Sequence, residues 1–255
     1  MKIPALMYHD IVRPGAADAS GFPGAAAAHY KLDTRAFDAH LSALNASRLT
    51  FPAITQRGPT GCLLTFDDGG ASVMDIAARL SARGMRGHFF ITTARIGQPS
   101  FATSRTLREI RAAGHIVGSH SHTHPTEISR LSKAELAAEW RRSTDCLQQL
   151  LGEAIAVASI PGGFYSDAVA HAAAAQGIRY LFTSEPVVTT HDIDGCLVVG
   201  RYSIVHDTPP ERAVCLALGA GTDRSRQWLM WNIKKPIKRW ARPVYRSIRA
   251  QLLGA

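Results

Sequence analysis

Residues 61–70 read Gly-Cys-Leu-Leu-Thr-Phe-Asp-Asp-Gly-Gly, a short apolar run that ends in two carboxylates and two glycines. A run of this length is typical of a buried strand, and glycine allows the backbone to turn sharply where the strand ends. Because successive side chains of a strand point to opposite faces, two neighbouring carboxylates that serve one site belong at the strand's end. The pair Asp67-Asp68 also fits an ordinary turn or helix cap, since Asp commonly bonds its own backbone in such positions. Whether Asp67-Asp68 is a functional site or an ordinary turn depends on the other motifs of the chain.

The size and composition fit one α/β domain. The chain has 255 residues, of which 46% are hydrophobic and 19% charged. It has no apolar stretch of the ~18 residues that a membrane-spanning helix needs, and its first apolar run is too short for a signal-peptide core. The four cysteines form no C-x-x-C pair, so we expect free thiols in a reducing cytoplasm. They are Cys62, Cys146, Cys196 and Cys215.

The positive charge is confined to the end of the chain. Residues 224–255 hold nine basic and no acidic residues, while the 20 basic and 20 acidic residues before them balance. We therefore predict a neutral body at 1–223 and a basic tail at 224–255. Apolar residues from Ile237 to Leu252 recur at helical spacing, a pattern typical of a helix on an anionic membrane, although Pro243 opposes a continuous helix. A helix packed on the body or a disordered tail would also fit. The neutral body argues against nucleic acid as a partner.

Strand and helix patterns alternate along the body. Short apolar runs predict strands at 3–8, 62–66, 88–91, 115–118, 155–160, 178–182 and 197–205. Apolar residues at helical spacing predict helices at 32–44, 73–80, 107–111, 133–151, 168–175 and 210–218. This alternation is typical of βα units around a largely parallel sheet.

Unusual polar residues follow four of these strands directly. They are His9, the Asp67-Asp68 pair, the segment 120–124 with three histidines, and Pro161-Gly162. In α/β folds of this kind the reactive groups gather at the carboxyl ends of the strands. We therefore expect these four groups to share one rim.

The residue types at this rim suit a divalent metal. His120 and His124 would share a face if the segment between them is a helical turn, and two imidazoles with one carboxylate leave positions open for water and substrate. A lone H-x-x-x-H is more typical of a polar surface loop, but the neighbouring carboxylates favour the metal. Asp68 could then be a ligand while Asp67 takes a proton from the bound water. Such a site suits hydrolysis.

Four motifs in consistent order resemble the polysaccharide deacetylase family, also known as the NodB homology group or carbohydrate esterase family 4. They are Thr65-Phe66-Asp67-Asp68-Gly69, the segment 84–91, the segment 118–124 and Pro161-Gly162-Gly163. The resemblance extends over about residues 3–205. It implies a distorted (β/α)7-type barrel and a metal-dependent N-deacetylase acting on an N-acetylated glycan.

The same resemblance assigns roles to individual residues. It implies that Asp67 is the catalytic base and that Asp68, His120 and His124 bind the metal, with Ser121 at the family's hydroxyl position. His122 falls on a variable position and is interpreted as accessory. Zinc is the family's usual metal, and Co²⁺, Ni²⁺ or Fe²⁺ also suit these ligands.

The third motif departs from the family pattern. The backbone N–H of Gly162, after Pro161, would donate to the oxyanion. However, Ser159 stands where the family pattern R-x-P has an arginine that usually tethers the catalytic aspartate. Either another arginine replaces it or the base is held less firmly.

Two histidines are candidates for the general acid. His9 matches an early M-Y-H-D motif of the subgroup that deacetylates poly-N-acetylglucosamine, in which the domain is circularly permuted, and we prefer it. His206 matches the family's late L-H-D-like motif in chain order and is the alternative. For the aspartate that orients this histidine in the family, Asp192 and Asp194 are the candidates.

The predicted function is removal of the N-acetyl group from an N-acetylated sugar or polysaccharide, with release of acetate, in bacterial surface glycan biosynthesis. The enzyme is expected in the cytoplasm, peripheral at the inner face of the membrane through its tail. Two alternatives stay open. One is a catalytically silent carbohydrate-binding relative, which Ser159 would suit; the other is a metal-dependent amidase on a non-sugar amide, because no residue pattern recognises a sugar.

Overall fold

The computed structural model describes residues 1–56 and 60–240, and for residues 234–240 the backbone alone. Its strands are β1 (Ala5–Tyr8), β2 (Ile11–Val12), β3 (Leu32–Asp33), β4 (Leu63–Phe66), β5 (Gly87–Ile91), β6 (Ile116–Ser119), β7 (Val157–Ser159), β8 (Tyr180–Phe182), β9 (His191–Ile193), β10 (Cys196–Val199) and β11 (Tyr202–Ser203). Its helices are α1 (Ala25–Ala28), α2 (Thr34–Ala46), α3 (Val73–Ser81), α4 (Ser104–Ala112), α5 (Lys133–Leu151), α6 (Asp167–Ala174), α7 (Pro210–Leu218) and α8 (Asp223–Trp240).

Nine strands form one sheet in the order β11-β1-β4-β5-β6-β7-β8-β10-β9. All neighbours in it are parallel except β9, which is antiparallel to β10. A bridge between Lys2 and Thr189 joins the segment before β1 to the segment before β9, so the sheet curls toward closure. The prediction of an α/β fold built on a distorted barrel is confirmed.

Alternation along the strands produces two apolar clusters. Leu63 of β4 faces the concave interior with Phe90, Phe182 and Val199, whereas Leu64 belongs to the larger cluster between the sheet and its helices. Both sides of the sheet are therefore buried, as expected for parallel strands covered by helices. The interior is filled by side chains, so the reactive groups are left at the strand ends.

The predicted strand at 197–205 is wrong as one element. The chain forms β10, leaves the sheet at Gly200 and Arg201, and returns as β11 on the opposite edge, beside β1. A Cβ at Gly200 would lie 2.4 Å from the carbonyl oxygen of Glu185, so the backbones pass too closely for a larger residue. This crossing carries the Arg201 side chain into the interior, where it is completely buried.

The start of the basic tail is a helix docked on the body. Gln227 of α8 exchanges two hydrogen bonds with the backbone of Ser203, at 3.1 and 2.9 Å. Arg224 donates to the carbonyl oxygens of Leu216 and Ala217 at 2.7 and 2.8 Å. The apolar spacing predicted over 237–252 falls on residues whose side chains the structure does not describe. Over the described residues, none of the helices combines the length and the apolarity that crossing a bilayer requires.

Candidate active site

The carboxyl ends of β1, β4, β6 and β7 open into one cleft of about 990 Å³. His9, Asp67, Asp68, His120 and Gly162 all line it. These residues are separated by up to about 150 positions in the chain, and the parallel order of the strands brings them together. The structure thus places the polar groups of all four strand ends on a single rim.

Asp68, His120 and His124 form a compact set of ligand atoms. Asp68 Oδ1 lies 3.5 Å from Nε2 of His120 and 3.5 Å from Nε2 of His124. All three ligand atoms lie within 4.8 Å of one another. Ligands ~2.1 Å from a tetrahedral metal are separated from each other by about 3.4 Å. The residues therefore fit a divalent metal, and three protein ligands would leave positions for water and substrate. Nitrogen with carboxylate oxygen suits Zn²⁺, Co²⁺, Ni²⁺ or Fe²⁺.

The surroundings keep Asp68 and His124 in the protonation states that bind metals. Burial alone would raise the pKa of Asp68, but its hydrogen bond with His120 and the nearby imidazoles of His9, His120 and His124 hold that pKa below its ordinary value. Burial, and then the charge of His120, lowers the pKa of His124 to about 4. A charged carboxylate beside a neutral imidazole is the form that coordination requires.

The segment between the two histidines is not a helical turn, so that prediction is wrong. Ser121 and His124 have φ of 61° and 60°, in the left-handed region. Two side-chain bonds support this shape, because the Ser121 amide donates to Ser119 Oγ at 3.1 Å and the His124 amide donates to Ser121 Oγ at 3.1 Å. A looped backbone, rather than one face of a helix, brings both Nε2 atoms to Asp68.

Glu139 of α5 holds this loop from behind. Its carboxylate accepts hydrogen bonds from the amides of His122 and Thr123, at 3.0 and 2.9 Å, and from the Thr123 hydroxyl at 2.9 Å. His122 is not part of the set of ligand atoms, and its Nδ1 bonds Thr93 Oγ1 at 2.9 Å. His122 is therefore part of the loop's support, and Glu139 is a buried carboxylate with a structural task that no local pattern indicated.

Asp67 is held by Arg201. The two terminal nitrogens of Arg201 donate to the two carboxylate oxygens at 2.7 and 2.8 Å, and the same side chain also bonds Thr65 Oγ1 and the Thr183 carbonyl. Burial would raise the pKa of Asp67, but the Arg201 charge and then that of His120 outweigh it, so the pKa lies below its ordinary value. Asp67 is thus charged, and both of its oxygens are oriented by one rigid fork.

Ser159 connects Asp67 to a metal-ligand candidate. Its hydroxyl donates to Asp67 Oδ1 at 3.1 Å, so Ser159 Oγ accepts from Nδ1–H of His120 at 2.5 Å. The Ser159 carbonyl lies 3.1 Å from the same Nδ1. These contacts fix the His120 tautomer and leave Nε2 free to face Asp68, which is the usual arrangement of a metal-binding histidine.

The two general-acid candidates lie in different surroundings. His9 lines the cleft, its ring packs 4.8 Å from that of Tyr30, and it lies close enough to Asp67 and Asp68 to lower the pKa of both. Its buried Nδ1 has no hydrogen-bond partner among the described residues. His206 is exposed, packs its ring against that of His29, and lies outside the residues that line the cleft.

The candidates for an orienting aspartate lie elsewhere. Asp192 accepts from the Gly195 amide in the β9–β10 turn, and Asp194 pairs with His171 at 2.6 Å on the surface. Neither lines the cleft. Pro161 and Gly162 form a short 3₁₀ turn after β7, in which Gly162 has a φ of 64° and faces the cleft.

The opposite wall of the cleft comes from α7 and α8. The residues that contribute to it are Arg212, Arg226, Gln227, Met230 and Trp231, and all but the first lie in the predicted tail at 224–255. Neither this wall nor the role of Arg201 can be predicted from a local sequence pattern. Each depends on contacts between distant segments, and the Arg201–Asp67 contact spans 134 residues.

Comparisons with known proteins show which proteins the chain is similar to. Residues 56–181 match the family model described as polysaccharide deacetylase. A Bacillus subtilis (strain 168) protein assigned to the polysaccharide deacetylases, YxkH, is 26% identical over 202 residues, which are 75% of this chain and 67% of that protein.

Solved structures share the fold. Streptococcus pyogenes deacetylase PplD, solved with acetate, has a TM-score of 0.69 and 20% identity over 85% of this chain and 98% of its own. IcaB from Ammonifex degensii has a TM-score of 0.68 and 22% identity over 85% and 97%. The polysaccharide deacetylase BC0361 from Bacillus cereus has a TM-score of 0.71 and 20% identity over 85% and 69%.

Proposed function

This chain belongs to the polysaccharide deacetylase family, and we propose that it is a metal-dependent enzyme that hydrolyses the N-acetyl group of an N-acetylated sugar in a glycan. The observation that carries the proposal is the joint placement of Asp67, Asp68, His120 and His124 at the floor of one cleft. One carboxylate belongs to the set of ligand atoms and the other is held apart from it by Arg201. A carbohydrate-binding protein without activity has no use for this division.

The division of labour follows from the contacts. A divalent metal bound by Asp68, His120 and His124 would lower the pKa of a water molecule and polarise the acetyl carbonyl. Asp67, charged and oriented by Arg201, accepts the proton of the attacking water. Water adds to the acetyl carbon, and the C–N bond then breaks to give acetate and a free amine on the sugar.

Two further groups complete the proposed chemistry. The backbone N–H of Gly162, in its left-handed turn at the cleft, donates to the developing oxyanion. His9 delivers a proton to the leaving amine, because its ring lies in the cleft and its Nδ1 is not engaged by another described residue. The exposed position of His206 disfavours it for this step.

We also propose that the enzyme acts in surface glycan assembly as a peripheral protein on the cytoplasmic face of the membrane. Its support is the run of nine basic residues without an acidic one in 224–255, which suits anionic lipid. The four cysteines are free, as expected in a reducing compartment.

Acetate release tests the enzymatic proposal. The wild type is assayed on a panel of N-acetylglucosamine oligomers, lipid-linked N-acetylated sugars and a non-sugar N-acetyl amide, before and after removal of metal with a chelator and again after addition of Zn²⁺. We expect release from at least one class of N-acetylated sugar, loss with chelator and recovery with Zn²⁺, while Asp67→Asn stays inactive throughout. Release from the simple amide alone would identify an amidase, and no release from any compound with metal restored would refute the enzyme.

A further inference from the structure

The wall of the cleft that α8 contributes differs chemically from the catalytic end. Arg212 pairs with Asp223 at 3.2 Å, so these two charges cancel. Arg226 also lines the cleft but forms no ion pair with any acidic residue in the described part of the chain. The wall therefore offers one uncompensated guanidinium, a group that favours phosphate over a neutral sugar hydroxyl.

The same helix carries most of the exposed large apolar side chains. Four of the six such residues in the described chain lie within one and a half turns of α8; the six are Met1, Leu218, Trp228, Leu229, Met230 and Ile233. Single exposed apolar residues are ordinary, but a cluster of them marks a binding surface. This cluster adjoins the cleft, because Met230 is both 46% exposed and part of the cleft wall.

Helical spacing joins the cation to the apolar cluster. Arg226, Leu229, Met230 and Ile233 stand at i, i+3, i+4 and i+7 and so share one face of α8, whereas Trp228 lies off that face. The face is fixed in place, because Gln227 and Arg224 anchor the helix to β11 and to the end of α7. It is thus a rigid surface that runs outward from the cleft.

We propose that this face binds the phosphate and the hydrocarbon chain of a lipid-linked sugar whose acetamido group occupies the catalytic end of the cleft. This inference rests on the proposed deacetylase function and names its substrate class. Aliphatic Leu229, Met230 and Ile233 offer a water-soluble glycan nothing to hydrogen-bond, whereas they remove a hydrocarbon chain from water. Arg226 lines the same cleft as Met230 and the catalytic groups, and its guanidinium suits the phosphate that joins the sugar of such a substrate to its lipid.

Binding to an inactive variant separates this inference from the proposed function. In the Asp67→Asn background we would measure, by titration calorimetry, the affinity for two esters of N-acetylglucosamine 1-phosphate. One carries a methyl group and the other a decyl chain, and both are used below micellar concentration. We expect the decyl ester to bind at least about tenfold more tightly, because burial of two methylene groups already accounts for that factor.

Three further variants locate the binding. A triple variant should abolish the preference for the decyl ester while leaving the affinity for the methyl ester unchanged. It combines Leu229→Ser, Met230→Ser and Ile233→Ser. Arg226→Gln should lower the affinity for both esters about tenfold, toward the affinity for methyl N-acetylglucosaminide, which has no phosphate. Trp228→Ser, an equally exposed apolar residue off the face, should leave the preference intact.

Equal affinity for the methyl and decyl esters, or a decyl preference that survives the triple serine change, would overturn the proposal. A triple variant that alters only the oligomeric state by sedimentation would also overturn it, because the face would then bind a second copy of the chain. Acetate release by the wild type from the panel of N-acetylated sugars, soluble and lipid-linked, judges the deacetylase function independently of all these binding results.

Discussion

Arg201 donates a hydrogen bond to each carboxylate oxygen of Asp67, although the two residues are 134 positions apart. Ser159, which occupies the position where an arginine was expected, donates its hydroxyl to the same carboxylate at 3.1 Å. The tether of the base has therefore not been lost. The tethering arginine comes from the crossing between β10 and β11 instead of from β7. At the end of β7, Ser159 instead connects the base to His120.

The first prediction concerns this tether. Arg201→Met leaves a buried carboxylate without its cation, which typically costs about 3–5 kcal/mol in the free energy of unfolding. We expect this loss together with a fall in kcat of about 100-fold, because Asp67 loses its orientation. Arg201→Lys keeps the charge but not the forked pair of hydrogen bonds, so its stability and kcat should lie between those of the wild type and Arg201→Met. Urea denaturation and initial rates measure both effects.

Asp67→Asn combined with Arg201→Met is the matched control. If the contact is the source of the instability, removal of the second charge should recover part of the lost free energy of unfolding. A double variant no more stable than Arg201→Met alone would show that the arginine stabilises the fold through its other contacts, with Thr65 and Thr183.

Ser159→Ala tests the connection between the base, Asp67, and the candidate metal ligand, His120. The change removes one hydrogen bond to Asp67 and one to His120, but the Ser159 carbonyl still accepts from His120. Groups that orient a ligand histidine commonly alter metal affinity by about 10–100-fold, and we expect the lower end of this range. Competition with a chromogenic chelator measures it. Ser166→Ala, outside the site, serves as the control; unchanged metal affinity in Ser159→Ala would assign the serine to packing alone.

The general acid is tested by a pair of alanine variants. His9→Ala should lower kcat by about 100-fold or more, since a positioned acid commonly contributes 10²–10⁴-fold. His206→Ala should stay near the wild-type rate, because His206 is exposed and outside the cleft. A substrate with an activated leaving group should partly restore His9→Ala, because that group needs less protonation. The opposite pattern, with His206 essential and His9 dispensable, would transfer the role to His206.

The parts of this site that the sequence revealed are those whose signal is local. Asp67-Asp68 ends an apolar run, and His120 and His124 follow another, so alternation of strands and helices was enough to bring them to one rim. The loop shape between the histidines depends on Ser119, Ser121 and Glu139, whose hydrogen bonds have no periodic signature. Arg201 was hidden for a different reason, because the apolar run of 197–205 concealed the break at Gly200.

A buried histidine predicts a loss of stability in mild acid. His88 is completely buried, with Nδ1–H donated to the Leu64 carbonyl and Nε2 accepting from the Ile54 amide, both at 2.9 Å. The bond from Ile54 requires the neutral ring, because a protonated Nε2 cannot accept it, and burial lowers the pKa of His88 to about 4. Between about pH 6.5, the ordinary value, and pH 4 the unfolded chain therefore binds the proton that the folded chain does not. Stability should fall as pH falls through this range.

The expected loss from His88 between pH 7 and pH 5 is about 2 kcal/mol in the free energy of unfolding. Urea denaturation of metal-free protein at the two pH values measures it. His88→Asn, which keeps a donor toward Leu64 and does not titrate, is expected to be less stable at pH 7 but to lose less on acidification. An equal loss in both proteins would assign the acid sensitivity to other groups.

The last prediction concerns the proposed membrane association. Deletion of all of 224–255 would remove Arg224 and Gln227, which anchor α8 to the body, so a loss of binding could reflect damage to the fold. Deletion of 234–255 instead keeps these anchors and removes seven of the nine basic residues of the tail. Each basic residue near an anionic surface contributes about 1 kcal/mol, so the full chain should bind vesicles with 30% phosphatidylserine and the shortened chain should bind far more weakly.

Vesicles of phosphatidylcholine alone, and the same anionic vesicles in high salt, should bind the full chain weakly because the attraction is electrostatic. Equal cosedimentation of the full and shortened chains with anionic vesicles, with acetate release from soluble oligomers unchanged, would show that the basic residues after Ile233 do not attach this protein to membranes.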